Sequence, residues 1–200
     1  MNKALRNILE RNSHRNLIDP IPSKDEMEQV YQAALRAPDH AWVRPSSFIQ
    51  VSGEGLKKLS DIFVEVAEES FENLTDEILE KYKNAPFRAP LIVILVSTKK
   101  EHPKVPRIEQ IISTGTAGQN IMLALNALGY GAIWRTGRFA FNEKISERLG
   151  LNKNQTVIGY IYIGTPKGKK KSLPEMNTDC LLYTSPSPRD VHLSRMPSSA

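Results

Sequence analysis

A short basic segment near the start of the chain contains the residue types that bind a phosphate group. Arg11, Asn12, Ser13 and Arg15 lie within five residues, at the end of a helix predicted over residues 3–11. Guanidinium groups make charge-assisted hydrogen bonds to phosphate, and a serine hydroxyl group can add another. The alternative is a solvated basic helix end, where positive charge is favourable. The spacing leaves both interpretations open.

A second cluster follows the next predicted helix. Ser23 and Glu26 have the spacing of a capping box and begin an amphipathic helix that ends near Arg36, because Pro38 stops it. The turn that follows carries the imidazole of His40 next to an acidic residue. The sequence therefore places an arginine, an acid and an imidazole together, and the alternative is a helix stop with an exposed acid–imidazole pair.

A third cluster comes at the end of a strand predicted over residues 130–134. Trp134, Arg135 and Thr136 would present an aromatic plane, a cation and a hydroxyl group at one spot. The alternative is that Trp134 belongs to the hydrophobic core, since tryptophan is buried on average. Both interpretations are compatible with the neighbouring glycine.

Other catalytic patterns are absent from the sequence. The glycines of residues 115–118 lack the spacing of a dinucleotide-binding loop, and there is neither a Walker A lysine nor a nucleophile elbow. The histidines are widely separated and Cys180 is the single cysteine, so the sequence predicts no metal site. If the protein is an enzyme, we expect a bound cofactor to carry the chemistry.

The composition is typical of a soluble globular protein. Hydrophobic residues make up 40% and charged residues 24%, and the net charge of +5 is too small to indicate nucleic acid by itself. The longest strictly apolar run, Leu91–Val96, is too short to span a bilayer. No secretory signal is visible, so we expect a cytoplasmic protein without a membrane partner.

The chain changes character near its end. Eight of the 21 residues from 180 to 200 are serine or proline, without a helical or strand period. The segment is interpreted either as a disordered Ser/Pro-rich tail or as appended, non-native sequence, and the second interpretation is favoured. The expected domain is therefore residues 1–179.

The hydrophobic pattern predicts a mixture of helices and strands without a regular βαβ alternation. This favours an α+β sandwich over a doubly wound sheet. The predicted helices cover residues 3–11, 23–36, 56–70, 76–83, 108–128 and 142–149, and the predicted strands cover residues 48–51, 91–96, 130–134 and 157–163.

These clusters, taken in order, resemble the nitroreductase family, most closely its small YdjA-like branch, over about residues 1–177. Each block alone is weakly specific, but the ordered set is strongly so. The resemblance rests on Arg11-x-Ser13, Arg36–His40, Ala85–Ile92, Lys104–Arg107 with Glu109 and Gln110, Gly131, Ile133–Arg135, Gly159 and Gly164–Pro166.

The resemblance implies a nitroreductase-like three-layer α-β-α sandwich with a mostly antiparallel central sheet. It also implies an obligate homodimer with FMN at the subunit interface. Such enzymes take a hydride from NADH or NADPH onto flavin N5, release the oxidised nucleotide, and then pass electrons to a nitroaromatic, quinone or similar small acceptor. No catalytic side chain is expected, because hydride transfer depends mainly on stacking and distance.

The resemblance also assigns roles to the three clusters, some of them toward the partner subunit's FMN. Arg15 is in addition predicted to lie near flavin N1 and C2=O, where a cation would raise the reduction potential. Arg11, Asn12, Ser13 and Arg15 are expected to hold the FMN phosphate and ribityl chain, Arg36 and His40 to make further FMN contacts, and Trp134, Arg135 and Thr136 to lie along the flavin.

Three features depart from the family pattern. Many relatives have a second arginine where this chain has Asn12. The tryptophan commonly found after the equivalent of Pro45 is missing, whereas Trp42 precedes that proline by three residues. The terminal segment that in the family reaches the other subunit's sheet is replaced from about Cys180.

Other functions remain open at the level of sequence. A flavin-binding protein without turnover is one alternative, and flavin destruction or dehalogenation on the same fold is another. A basic nucleic-acid-binding module using residues 167–171 is opposed by the acidic stretch 66–80 and by the lack of interleaved aromatic residues. Neither the physiological acceptor nor a preference for NADH over NADPH is predicted.

Overall fold

The centre of the described part of the chain is a five-stranded antiparallel sheet. The computed structural model describes residues 1–168 together with Ser172 and Asn177. The strands run in the order β1-β5-β3-β2, and β4 also pairs with β5. The strands are β1 (Leu17–Ile18), β2 (Ser46–Ser52), β3 (Leu91–Thr98), β4 (Gly131–Arg135) and β5 (Gln155–Pro166).

In the residues that the structure describes, six helices and two 3₁₀ turns accompany these strands. The predicted capping box is present, since Glu26 N–H donates to Ser23 Oγ and Ser23 N–H donates to a Glu26 carboxylate oxygen. The helices are α1 (Lys3–Glu10), α2 (Lys24–Ala34), α3 (Glu54–Ser70), α4 (Asp76–Lys83), α5 (Arg107–Ala127) and α6 (Glu143–Arg148), and the 3₁₀ turns are His40–Trp42 and Pro86–Arg88.

The helices cover both faces of the sheet. Helices α3, α4 and α6 pack on one face, where Phe63 and Tyr160 belong to the core. Helices α2 and α5 pack on the other, where Ile121 and Leu125 meet the alternate side chains of β3. Residues Leu91–Val96 are buried throughout, which confirms the prediction that this strand is covered on both faces. The predicted α-β-α sandwich with an antiparallel sheet is confirmed.

The described residues up to 168 belong to one compact unit, Met1–Lys170. The segment 180–200, predicted from the sequence as a tail, lies outside the described residues, and the domain boundary at 179 stays a prediction. Among the helices that the structure describes, none has both the length and the hydropathy needed to cross a bilayer.

Two glycines make room for Trp134 between the sheet and α5. A Cβ atom built on Gly118 of α5 would lie 2.6 Å from Leu95 Cδ1 and 2.8 Å from Trp134 Cζ3. One built on Gly159 of β5 would lie 2.1 Å from Trp134 Nε1. A Cβ atom built on Gly115, one helical turn away, would lie 3.7 Å from Cη2 of the same indole, an ordinary contact distance. The indole therefore depends on the missing side chains at Gly118 and Gly159.

Alanine substitutions at Gly115 and Gly118 of α5 separate the effect of packing from the effect of helix propensity on stability. Gly118→Ala is expected to lower the free energy of unfolding by about 1–2 kcal/mol, because the added methyl group overpacks a buried contact. Gly115→Ala is expected to raise it by up to about 1 kcal/mol, because alanine favours helix and finds room. Urea denaturation of both variants measures the difference, and equal effects would contradict this account of the packing.

Candidate functional site

The basic segment that follows α1 lies along β4. Ser13 forms an isolated parallel bridge with Ala132, and His14 N–H donates to Ala132 O at 3.1 Å. The carboxamide of Asn12 is buried, and its Oδ1 accepts Ser13 N–H at 2.8 Å. Arg15 is exposed just beyond this bridge. Two of the three predicted clusters, one near the N-terminus and one at the end of β4, are thus brought together.

Three arginines lie near one another at this place, and two of them, Arg88 and Arg135, lie near Tyr162. The Arg135 guanidinium lies over the ring of Tyr162, with 5.4 Å between Cζ and the ring centroid. Arg88 and Arg15 are close enough to repel Arg135, and Arg135 Nε is buried without a hydrogen-bond partner. None of the three arginines forms an ion pair with a carboxylate in the part of the chain that the structure describes. We call Arg15, Arg88 and Arg135 the arginine cluster.

Burial and like charge both act on the arginine cluster. Burial lowers the pKa of Arg135, repulsion from Arg88 and then Arg15 lowers it further, and Tyr162 opposes these effects. Burial raises the pKa of Tyr162 to about 12, against the opposing effect of Arg135 and Arg88, so the phenol is neutral near pH 7 and supplies no balancing charge. A bound anion would relieve this repulsion.

Arg88 and Tyr162 were not predicted as site residues. Arg88 belongs to the Ala85–Ile92 block that supported the family resemblance, but its sequence surroundings show only a cation before a strand. Tyr162 is one apolar position within a buried strand. Their association with Arg135 depends on the pairing of β4 with β5, in which Ile133 is opposite Tyr162, and on the 3₁₀ turn that places Arg88 before β3.

The third cluster does not present its side chains at one spot. Trp134 faces α5 and packs on Gly118 and Gly159, whereas Arg135 faces the opposite side of the sheet, over Tyr162. Successive residues of a strand point to opposite faces. The alternative interpretation, in which Trp134 belongs to the hydrophobic core, is confirmed, and Trp134 and Arg135 do not form a joint surface. Thr136 is exposed beyond the end of β4.

Arg36 and His40 lie on the α2–α5 side of the protein. His40 Nδ1 is 2.7 Å from Glu109 Oε2 of α5, and Arg36 is exposed just after α2. Ser113 Oγ donates to Pro38 O at 2.7 Å and so fixes the turn to α5. Among the residues that the structure describes, no recorded contact joins this pair to the arginine cluster.

Two of the cavities in the described part of the chain are lined by polar residues other than the nine predicted ones. One of about 440 Å³ lies between α6 and the start of β5, lined by Asn142, Glu147 and Gln155 among others. One of about 60 Å³ lies beneath the turn after α2, beside Asp39 and Ser113. Neither is lined by any of the nine site residues predicted from sequence, whose contacts with a cofactor stay predictions.

Comparison with known proteins identifies the family. The model of the Nitroreductase family matches residues 8–165. The chain belongs to the nitroreductase family. It is 35% identical over 166 residues to YdjA of Escherichia coli (strain K12), covering 83% of this chain and 90% of that protein. It is 32% identical over 163 residues to a protein of Haemophilus influenzae, covering 81% and 88%. Both relatives are named as NAD(P)H nitroreductases, and this nitroreductase is accordingly an oxidoreductase.

Solved structures of other nitroreductases confirm the fold. A nitroreductase-like family protein from Bacillus cereus matches with a TM-score of 0.75 at 23% identity, covering 92% of this chain and 96% of that one. The FMN- and NADPH-dependent nitroreductase NfnB of Sphigopyxis sp. strain HMH matches with a TM-score of 0.74 at 17% identity, covering 92% and 99%.

The arginine cluster predicts an unusual response to charge removal. In the absence of a bound anion, Arg135→Met is expected to stabilise this nitroreductase by about 0.5–1 kcal/mol, since it removes a partly buried, repelled charge and keeps an apolar stem over Tyr162. Inorganic phosphate should raise the melting temperature of the unmodified protein more than that of the variant, with sodium chloride at equal ionic strength as the control. A destabilised variant with an unchanged phosphate response would contradict the repulsion.

Proposed function

We propose that this nitroreductase binds FMN and uses NADH or NADPH to reduce nitroaromatic, quinone or similar small acceptors in the cytoplasm. The observation that carries the proposal is the arginine cluster beside Ser13, which lacks a balancing carboxylate in the described part of the chain. The names of the relatives support NAD(P)H as reductant, and NfnB, which is FMN-dependent, shares the fold.

The residues present fit an anionic cofactor. Arg11 and Arg15 flank Ser13 on an extended segment held against β4, and a phosphate needs such a set of cations and hydroxyl donors. The unpartnered Nε of Arg135 is a further donor for an anionic oxygen. Asn12 acts through the backbone, because its Oδ1 accepts the N–H of Ser13 and so positions that residue.

Bound FMN would supply the redox chemistry, taking a hydride from NAD(P)H and passing two electrons to the acceptor. For a nitro group the overall change consumes one NAD(P)H and one proton, and it gives a nitroso group, NAD(P)⁺ and water. The protein's own residues bind and orient the reactants, and solvent can supply the proton. We assign to Arg15 the stabilisation of negative charge near flavin N1 and C2=O.

The proposal includes a homodimer, which helix α1 supports. Asn7 of α1 faces the protein, donating from Nδ2 to Leu123 O and accepting at Oδ1 from Asn126 Nδ2. Leu5 and Leu9 lie on the other side of the helix and are 55% and 61% exposed. A helix that turns polar groups inward and leucines outward is suited to a partner surface.

A shared site would also explain the separation of the predicted clusters. Arg36 and His40 lie on the α2–α5 side of the sheet, and Arg135 of the arginine cluster faces the opposite side. In a dimer, one chain could contribute the first group and its partner the second to the same FMN. A single chain then carries two half-sites.

The cofactor assignment predicts specific losses in FMN binding. Arg15→Ala should weaken FMN binding at least about tenfold, because a hydrogen bond to a charged group contributes about 1.5–3 kcal/mol, and should make the flavin potential more negative. Lys57→Ala, at an exposed lysine of α3, is the matched control. Fluorescence titration and potentiometry give the two values. An FMN-loaded protein that neither NADH nor NADPH reduces would instead support the non-catalytic alternative.

The homodimer predicts that charges on α1 separate the subunits. The double variant Leu5→Asp with Leu9→Asp should elute as a monomer in size-exclusion chromatography with light scattering and should lose FMN binding, since charged side chains would be buried at the interface. Phe141→Asp, at a comparably exposed residue in the α3–α6 layer, is the control. A dimer that persists in the double variant would place the interface elsewhere.

A further inference from the structure

The turn after α2 holds a tryptophan in an unusual position. Trp42 is 77% exposed, and its φ angle of 55° lies in the left-handed region, as do those of Ala41 (53°) and Arg44 (49°). Residues with a Cβ atom adopt this region at a cost of roughly 1–2 kcal/mol each. Burial of Trp42 does not offset this cost, because the turn leaves the indole exposed to solvent rather than placing it in the core. Such strain in a turn indicates function.

The turn is held at its base by defined contacts. Asp39 Oδ2 accepts the backbone N–H of Arg44 at 2.9 Å, and Arg44 Nε lies 3.8 Å from the same oxygen. Trp42 N–H donates to Asp39 O at 3.3 Å, and Pro38 O accepts the hydroxyl group of Ser113 on α5. The exposed indole is therefore carried by a fixed loop.

Trp42 and Arg44 form a pair at the surface. The Arg44 guanidinium lies over the indole with 5.0 Å between Cζ and the ring centroid. The Arg44 side chain is 55% exposed, whereas that of its carboxylate partner Asp39 is 12% exposed. The solvent-facing part of the pair is thus an aromatic plane beside a cation. Glu109 of α5 contacts His40 of the same turn, with 2.7 Å between Glu109 Oε2 and His40 Nδ1.

We propose that Trp42 and Arg44 bind the electron acceptor and select planar aromatic compounds that carry a negative charge, such as nitrobenzoates. The acceptor ring stacks on Trp42 and its carboxylate pairs with Arg44. This inference rests on the proposed function, because the turn also carries His40 and follows Arg36, both predicted to contact FMN. It assigns substrate selection to two residues that the family resemblance leaves without a role.

Binding to the oxidised, FMN-loaded protein tests the site without turnover. Calorimetry compares 4-nitrobenzoate with 4-nitrobenzamide, which has a similar shape and no charge. The benzoate should bind about tenfold more tightly. Arg44→Gln should remove this preference and leave benzamide binding unchanged, Arg44→Lys should restore part of it, and Trp42→Ala should weaken both ligands about tenfold. Lys57→Gln is the control for lost surface charge.

Steady-state kinetics separates the failure of this site from the failure of the proposed function. The kcat/KM values for the two nitro compounds should follow their binding, while 1,4-benzoquinone, a small neutral acceptor, should respond little to Arg44→Gln. Equal values for both nitro compounds in all variants, with reduction intact, would overturn the site alone. A changed oligomeric state of Trp42→Ala would also overturn the proposed acceptor site, because Trp42 would then be an interface residue. A protein that takes up no FMN overturns the proposed function and the site with it.

Discussion

Strand β5 is the constraint on which the rest of the structure depends, because β1, β3 and β4 all pair with it. Side chains of β5 point alternately to the two faces of the sheet, and the two faces have different roles. Gly159 leaves space for the indole of Trp134 on the α5 side, and Tyr162 supports Arg135 on the other. The pairing with β4 also fixes the basic segment, since Ser13 bridges to Ala132. The packing and the proposed cofactor site are thereby set by the same register.

At the arginine cluster, the binding of an anion and the stability of the folded chain are linked. Arg88 and Arg15 repel the partly buried Arg135, and the neutral phenol of Tyr162 supplies no balancing charge, so the electrostatics are unfavourable there in the absence of an anion. An anion that binds the folded chain but not the unfolded one offsets this unfavourable energy and raises the free energy of unfolding by linkage. The affinity for the proposed anionic cofactor would thus derive partly from unfavourable interactions in its absence, rather than only from new contacts.

The sequence predicts local features of this fold, such as helix bounds, better than it predicts which strands pair. Helix α4 begins and ends at the predicted residues, because Thr75 caps it and its amphipathic period is complete. The two-residue strand β1 was not predicted, since its pairing with Thr165 and Pro166 leaves no local pattern. The same reason explains why Arg88 was missed: it meets Arg135 only through long-range pairing. The opposite facing of Trp134 and Arg135, by contrast, follows from strand period and could have been predicted.

The position of Trp42 has a physical explanation in the start of β2. Pro45 O accepts Thr98 N–H at 2.7 Å, and Ser46 Oγ donates to Thr114 Oγ1 at 3.2 Å, so the residues after the proline already belong to the sheet. A tryptophan after the proline, as relatives commonly have, would be held by that strand. Three residues earlier the indole belongs to the turn and is exposed beside Arg44. Moving one aromatic residue across the strand boundary therefore changes its surroundings from sheet to solvent, while the fold that supports it is unchanged.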